Sequence, residues 1–126
     1  MAAFMNSTAP TSAGAVVTFR GLVRDHDDGR AVTALEYEAH PSAPAVLAEV
    51  AAAVAARHPE VTGLRLAHRA GRLEIGECAV FAEVFSAHRA EAFAACAELV
   101  DEVKRALPVW KRQLFPDGTD EWVNSP

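Results

Sequence analysis

Two runs in the first third of the chain are rich in apolar, β-branched and aromatic residues, which are frequent in β-strands. The runs cover 15–23 and 32–39, and each predicts a strand. The intervening segment RDHDDGR contains an Asp-Gly pair, which favours a tight hairpin turn. Gly21 interrupts the first strand and predicts a bulge or a close approach of another group.

A helical pattern follows the segment HPSAP. Ser42 is the predicted N-cap, Pro44 lies in the first turn, and the sequence RHP at 57–59 ends the helix. The apolar residues recur at helical spacing and predict a buried stripe of Val46, Leu47, Val50 and Val54.

Two more strands and a second helix complete the predicted elements. The strands are expected at 63–69 and 78–87, on either side of a glycine-bounded segment, and Pro108 must end or kink the helix after them. At about 100° per residue, one face of this helix collects apolar side chains. The predicted buried face consists of Phe93, Cys96, Ala97, Val100, Val103 and Leu107.

The resulting order, β-β-α-β-β-α followed by a C-terminal tail, predicts an α+β domain with mainly antiparallel strands. The whole chain has 126 residues, which suits one domain with its own core. The Ser-, Thr-, Pro- and Ala-rich start predicts a flexible tail over 1–13, which leaves 14–126 as the single domain.

Composition narrows the functional classes. The net charge of −5 argues against non-specific binding of nucleic acid, although a local arginine cluster can still hold a small anion. Cys78 and Cys96 lie in apolar runs and favour free buried thiols over a disulfide. No signal peptide, membrane span, metal motif or cofactor motif is recognised, which predicts a soluble, cytoplasmic protein. The acidic run DHDD is better explained as a polar hairpin turn than as a metal site.

The lysines are unusual because they are so few. Of the twelve Lys and Arg residues, only Lys104 and Lys111 are lysines, and they flank a Pro-Val-Trp segment. The helical projection places Lys104 at the edge of the apolar face. It is therefore either a side chain that reaches solvent from the core boundary or a partly desolvated amine in a pocket. An amine can act as a nucleophile or transfer protons, whereas arginine stays protonated.

Other cations accompany the lysines. His88 and Arg89 are predicted at the start of the second helix, where free backbone N–H groups and the helix dipole favour an anion. Arg24 ends the first strand region and can point to the same place. For each of these residues, a solvent-exposed polar side chain is the alternative interpretation.

Five segments occur in a specific order: GAVVTFRGLVR, LEYEA, HRAGRLEIGE, SAHRAEAF, and the lysine segment followed by DGTDEWV. Together they resemble the large, catalytic subunits of molybdopterin synthase over about residues 14–123. The resemblance implies an α/β-hammerhead type of fold with an added small antiparallel β-region. It also implies a heterotetramer, in which a central homodimer of this subunit binds one small ubiquitin-like subunit on each side.

In such enzymes the small subunit carries sulfur as a thiocarboxylate on a C-terminal Gly-Gly tail. Cyclic pyranopterin monophosphate receives two sulfurs from two carriers and becomes molybdopterin. Transferred by motif, Lys104 is implied as the main catalytic amine and Lys111 as a substrate-binding or proton-transferring residue. The implied substrate-binding residues are Phe19, Arg24, His88, Arg89 and Lys111.

One position departs from the family pattern. The family commonly has Glu two residues after the second lysine, where this chain has Gln113. If that carboxylate tunes Lys111, the charge at this site differs here. Two other functions stay open at this stage: an enzyme that forms a Schiff base on Lys104, and a non-catalytic module that binds an anion or a partner's tail.

Overall fold

A computed structural model of the protein describes the backbone of residues 2–7 and the whole of residues 12–123. Within these residues the chain forms two four-stranded antiparallel sheets, a short hairpin and two helices. The strands are β1 (Ala2–Ser7), β2 (Ala15–Leu22), β3 (His26–Asp27), β4 (Arg30–Ala31), β5 (Ala34–Ala39), β6 (Val61–His68), β7 (Gly71–Glu74), β8 (Cys78–Ser86), β9 (Val109–Leu114) and β10 (Asp120–Val123). The helices are α1 (Ala43–Arg57) and α2 (Arg89–Ala106). The predicted α+β class with an additional antiparallel region is confirmed.

The first sheet has the strand order β1-β6-β8-β2, and helix α2 packs on β8 and β2 while α1 packs on β6 and β1. The β2–β8 register shifts between Gly21 and Leu22, which confirms the predicted bulge. Neither helix of the described residues is long and apolar enough to cross a membrane. Cys78 and Cys96 are both free thiols, as predicted, and Cys96 is buried.

The second sheet has the order β10-β9-β5-β7, so β9 is an interior strand. The prediction of a C-terminal tail after α2 is therefore wrong. Strand β9 pairs with β5 from the first third of the chain, and Lys111 lies opposite Tyr37. Local sequence patterns do not reveal a strand whose partner is so distant, which explains the error.

The N-terminal segment also differs from the prediction. Residues 2–7 form β1, which pairs with β6 from Ala2↔His68 to Ser7↔Gly63. The prediction of a flexible tail is wrong for these six residues, because β1 satisfies backbone groups that β6 would otherwise leave unpaired at the sheet edge. Residues 1 and 8–11 of that predicted tail lie outside the described residues.

The predicted buried face agrees with the structure better for α1 than for α2. In α1, Leu47, Val50 and Val54 are buried as expected, and Val46 is partly buried. In α2 the buried face is rotated, because Phe93 is 63% exposed and Ala97 is also exposed. The buried residues of α2 are Ala92, Ala95, Cys96, Leu99 and Val103.

A histidine at the end of α1 ties the two helices together. The His58 ring is 13% exposed, its Nδ1 lies 2.7 Å from Glu91 Oε1, and its Nε2 lies 2.6 Å from Glu98 Oε2. Arg57 also pairs with Glu98. These carboxylates, Glu98 foremost, raise the pKa of His58 although its partial burial opposes them. The His58 hydrogen bond in turn lowers the pKa of Glu98.

We expect this cluster to make stability fall as pH rises above about 6.5, the ordinary pKa of histidine. Because the pKa of His58 is higher in the folded state, its contribution is complete below the unfolded value of about 6.5 and is lost as pH rises through the folded value. For Glu98 the sign is opposite, so its contribution is lost as pH falls through its lowered pKa. Urea unfolding across this pH range should show the alkaline decline in the wild-type protein and not in His58→Gln. The exposed His88→Gln control should keep it, and an unchanged decline in His58→Gln would contradict the assignment.

Candidate active site

A cavity of about 390 Å³ opens between the two sheets, the β3–β4 hairpin and the C-terminal end of α2. Its volume lies within the range of small-molecule sites, roughly 300–1,000 Å³. Its walls combine apolar side chains from the core with a few charged and polar groups. The lining residues that carry polar or charged side chains are Arg24, His26, Asp27, Tyr37, His68, Lys104, Lys111 and Gln113.

The two lysines reach this cavity from different elements. Lys104 lies in the last turn of α2, and Lys111 lies on β9 after Pro108 has ended the helix and the chain has turned. Both side chains line the cavity. The side chain of Trp110 points to the opposite side of β9 and is 40% exposed.

Of the predicted residues on or after β2, Arg24 lines the cavity and Phe19 does not. Phe19 packs against the core on the same side of β2 as Gly21, which does line it. A Cβ on Gly21 would lie 2.4 Å from Val80 Cγ1 and 3.4 Å from Phe19 Cε1. Because Gly21 has no side chain, Val80 can approach the backbone of β2 closely at this wall of the cavity. Phe19 packs beside Gly21 without lining the cavity itself.

His88 and Arg89 lie elsewhere in the same chain. His88 is the N-cap of α2, with a side chain 76% exposed and its Nε2 4.0 Å from Glu60 Oε1. Arg89 is exposed in the next position. At about 1.5 Å per residue, α2 separates Arg89 from Lys104 by roughly 22 Å along its axis. Within a single chain, His88 and Arg89 therefore do not reach the cavity.

The β3–β4 hairpin places the carboxylate of Asp27 at the cavity, and the sequence analysis did not predict it. Asp28 and Gly29 form the predicted turn with φ of 50° and 76°, and the preceding Asp27 lines the cavity. Gln113 Nε2 donates a hydrogen bond of 2.5 Å to Asp27 Oδ2, and Arg24 donates one of 3.2 Å to Oδ1. The Gln113 hydrogen bond, followed by the charges of Lys111, Arg24 and His26, lowers the pKa of Asp27.

Tyr37 and His68 form a second group, and neither was among the predicted site residues. Their rings meet edge to face with centroids 4.8 Å apart. His68 is 4% exposed, and its Nδ1 donates to the Arg69 carbonyl oxygen at 2.8 Å. Burial lowers the pKa of His68, which favours the neutral ring and leaves Nε2 as an acceptor. A buried neutral imidazole is thus available at the cavity wall.

Taken together, the polar and charged groups of the cavity are two amines, one guanidinium group, one carboxylate, two imidazoles, one phenol and one amide. Cations bind phosphate and other anions, and an amine can also transfer protons or attack a carbonyl group. The fold and the site thus define an α+β protein with a cavity in which two lysine amines and an arginine suit a small anion.

Comparison with known proteins gives the particular family. The profile described as "MoaE protein" matches residues 1–106, and the chain belongs to this family. Its members include the molybdopterin synthase catalytic subunits of Nostoc sp., 40% identical over 88% of this chain and 68% of that protein, and of Pyrococcus abyssi, 42% identical over 90% and 76%. The resemblance seen in the sequence motifs is confirmed.

A solved structure agrees with this relationship. The crystal structure of molybdopterin synthase from Staphylococcus aureus superposes with a TM-score of 0.85 and 33% identity, and covers 92% of this chain and 84% of that one. The chain spans 68% of the length of the Nostoc protein, and 86% and 58% of the molybdopterin synthase catalytic subunits of Thermoplasma volcanium and Arabidopsis thaliana.

Proposed function

We propose that this chain is a catalytic subunit that converts cyclic pyranopterin monophosphate to molybdopterin. The two sulfurs come from the C-terminal thiocarboxylate of a small ubiquitin-like partner. The observation that carries the proposal is that Lys104 and Lys111, the two lysines of the chain, line one cavity together with Arg24. Because each sulfur arrives on the partner, neither Cys78 nor Cys96 is needed as a sulfur donor.

In this proposal each cation has a separate task. Lys104 is the main catalytic amine and lies near the partner's terminal carbonyl group. Lys111 binds and orients the substrate or assists proton transfer, and Arg24 holds anionic groups of the substrate. Fixed donors of this kind stabilise negative charge that develops during transfer.

His88 and Arg89 require a second copy of the chain if they are to serve the same reaction. The homodimer that we propose at the centre of a heterotetramer would supply them from a neighbouring α2. A phosphate is well suited to that position, where unpaired backbone N–H groups of the helix meet an arginine.

Mixed dimers test this arrangement. Lys104→Ala and Arg89→Ala are each expected to reduce activity strongly when assayed alone. If each cavity combines Lys104 of one protomer with Arg89 of the other, a mixed dimer contains one intact site, and refolding the two variants together should restore activity. Refolding together without recovery would show that the two residues do not share a site across the dimer.

The partner's tail is the second part of the proposal. A Gly-Gly terminus suits a narrow cavity because it carries no side chains. We expect a partner that lacks its last two glycines to bind at least about tenfold more weakly in titration calorimetry, a difference of about 1.4 kcal/mol. Equal affinities would mean that the tail does not enter the cavity.

A further inference from the structure

The hydrogen bond between Gln113 and Asp27 joins two distant parts of the chain at the cavity. Gln113 is 5% exposed on β9, and Asp27 lies on the β3–β4 hairpin. The carboxylate can only accept in this pair, so the Gln113 amide N–H₂ group donates, at 2.5 Å. A buried amide that is anchored in a strand interior gives the carboxylate a fixed position.

Asp27 is also the only carboxylate among the described residues that line the cavity. The ionisable groups that act on it are Lys111 on β9, Arg24 in the loop after β2, and the adjacent His26. Lys111 lies two residues before Gln113 on β9, so its side chain leaves the strand on the same face as the amide that holds Asp27, whereas Lys104 comes from α2. The negative charge of Asp27 therefore acts on Lys111 more than on Lys104.

The hydrogen bond between Asp27 and Gln113 also concerns position 113 itself, where this chain departs from the family pattern. The family resemblance described above implies Glu at this position, and a glutamine removes that negative charge. In this chain the glutamine instead binds a carboxylate that comes from the hairpin. The Asp27–Gln113 pair therefore still has one negative charge beside Lys111. The charge is on Asp27 and not on residue 113.

We propose that Asp27 is a positioning residue that supplies the counter-charge of Lys111, with Gln113 holding it in place. The inference rests on the proposed function in that it assigns Lys111 a role in the reaction. Asp27 and Gln113 act through Lys111 and Arg24: the fixed carboxylate keeps the ammonium group of Lys111 oriented in the cavity, and it keeps the Arg24 guanidinium at the cavity rim.

Exchanging the two side chains provides the sharpest test. Asp27→Asn removes the charge, Gln113→Glu adds a second carboxylate at hydrogen-bonding distance from the first, and the double variant restores one amide and one carboxylate. We expect each single variant to lower kcat for molybdopterin formation about tenfold or more. Asp27→Asn leaves Lys111 without its counter-charge, and Gln113→Glu places two carboxylates that repel each other in the cavity. The double variant should return to within about threefold of the wild-type protein, since charge and hydrogen bond are both regained.

Asp28→Asn is the matched control. It makes the same change in the same hairpin, outside the cavity, and asparagine tolerates the φ of 50° at that position. The control should keep wild-type activity and the wild-type pH profile. The proposal is overturned if Asp27→Asn behaves like Asp28→Asn, or if the double variant is no more active than the weaker single variant.

A second measurement does not depend on catalysis. Because the chain contains two lysines, lysine labelled with ¹³C at Cε alone gives two side-chain signals in an NMR spectrum. Asp27→Asn should shift the Lys111 signal more than the Lys104 signal, and the double variant should reverse the shift. Equal shifts of both signals, or none, would contradict the pairing. An inactive wild-type protein that nevertheless shows the selective shift would instead count against the proposed function.

Discussion

Replacing Lys104 by arginine is expected to lower the rate of molybdopterin formation by about 10²- to 10⁴-fold. Arginine keeps the positive charge but stays protonated at every accessible pH, so it can neither attack a carbonyl group nor take up a proton. Single-turnover assays with saturating thiocarboxylated partner measure the chemical step without a contribution from weakened binding. Arg105→Lys is the matched control, since Arg105 is the next residue of the same helix turn and its side chain is 71% exposed.

The same variant separates the proposed function from its alternatives. A non-catalytic module that uses Lys104 only for its charge would tolerate arginine, so full activity in Lys104→Arg would remove the lysine from the chemistry. A Schiff-base enzyme would also lose activity in Lys104→Arg. Borohydride trapping distinguishes it, because only that enzyme would yield a reduced adduct on Lys104 with a carbonyl substrate.

The second large effect concerns stability. Leu99 is fully buried in α2, and Leu99→Ala is expected to reduce the free energy of unfolding by about 2–5 kcal/mol through lost contacts and a residual cavity. Phe93 is 63% exposed, and Phe93→Ala is expected to cost about 0.5 kcal/mol or less. Urea unfolding of both variants at two protein concentrations measures these changes.

A comparison of concentrations is needed because association could bury Phe93. A cost at Phe93 that grows with protein concentration would report an interface between copies. A concentration-independent cost as large as that of Leu99→Ala would contradict the orientation of α2 seen in the structure.

Elements with a local pattern were predictable from the sequence. Strand β2 was expected at 15–23 and spans Ala15–Leu22, and helix α1 ends at the predicted Arg-His-Pro segment. The rotation of α2 was not predictable in the same way. Alanines occupy several faces of this helix, so the large Phe93 dominated the pattern although the smaller Ala92, Ala95 and Leu99 form the buried stripe.

The site was predictable only in part, for a related reason. Lys104 and Lys111 stood out because lysine is so rare here, and the proline between them indicated a turn. Asp27 and Tyr37 reach the cavity through pairings with β9 that join distant parts of the chain. No spacing within the sequence encodes such contacts, and the DHDD segment by itself is indistinguishable from a polar turn.

The most direct test of the proposed function is the stoichiometry of sulfur transfer by the purified wild-type chain. The reaction contains cyclic pyranopterin monophosphate and the partner with a C-terminal thiocarboxylate, and mass spectrometry counts the products. We predict two thiocarboxylates converted to carboxylates for each molybdopterin formed, and no molybdopterin when the partner ends in an ordinary carboxylate. Absence of molybdopterin with a folded, bound, thiocarboxylated partner would contradict the function proposed for this cavity.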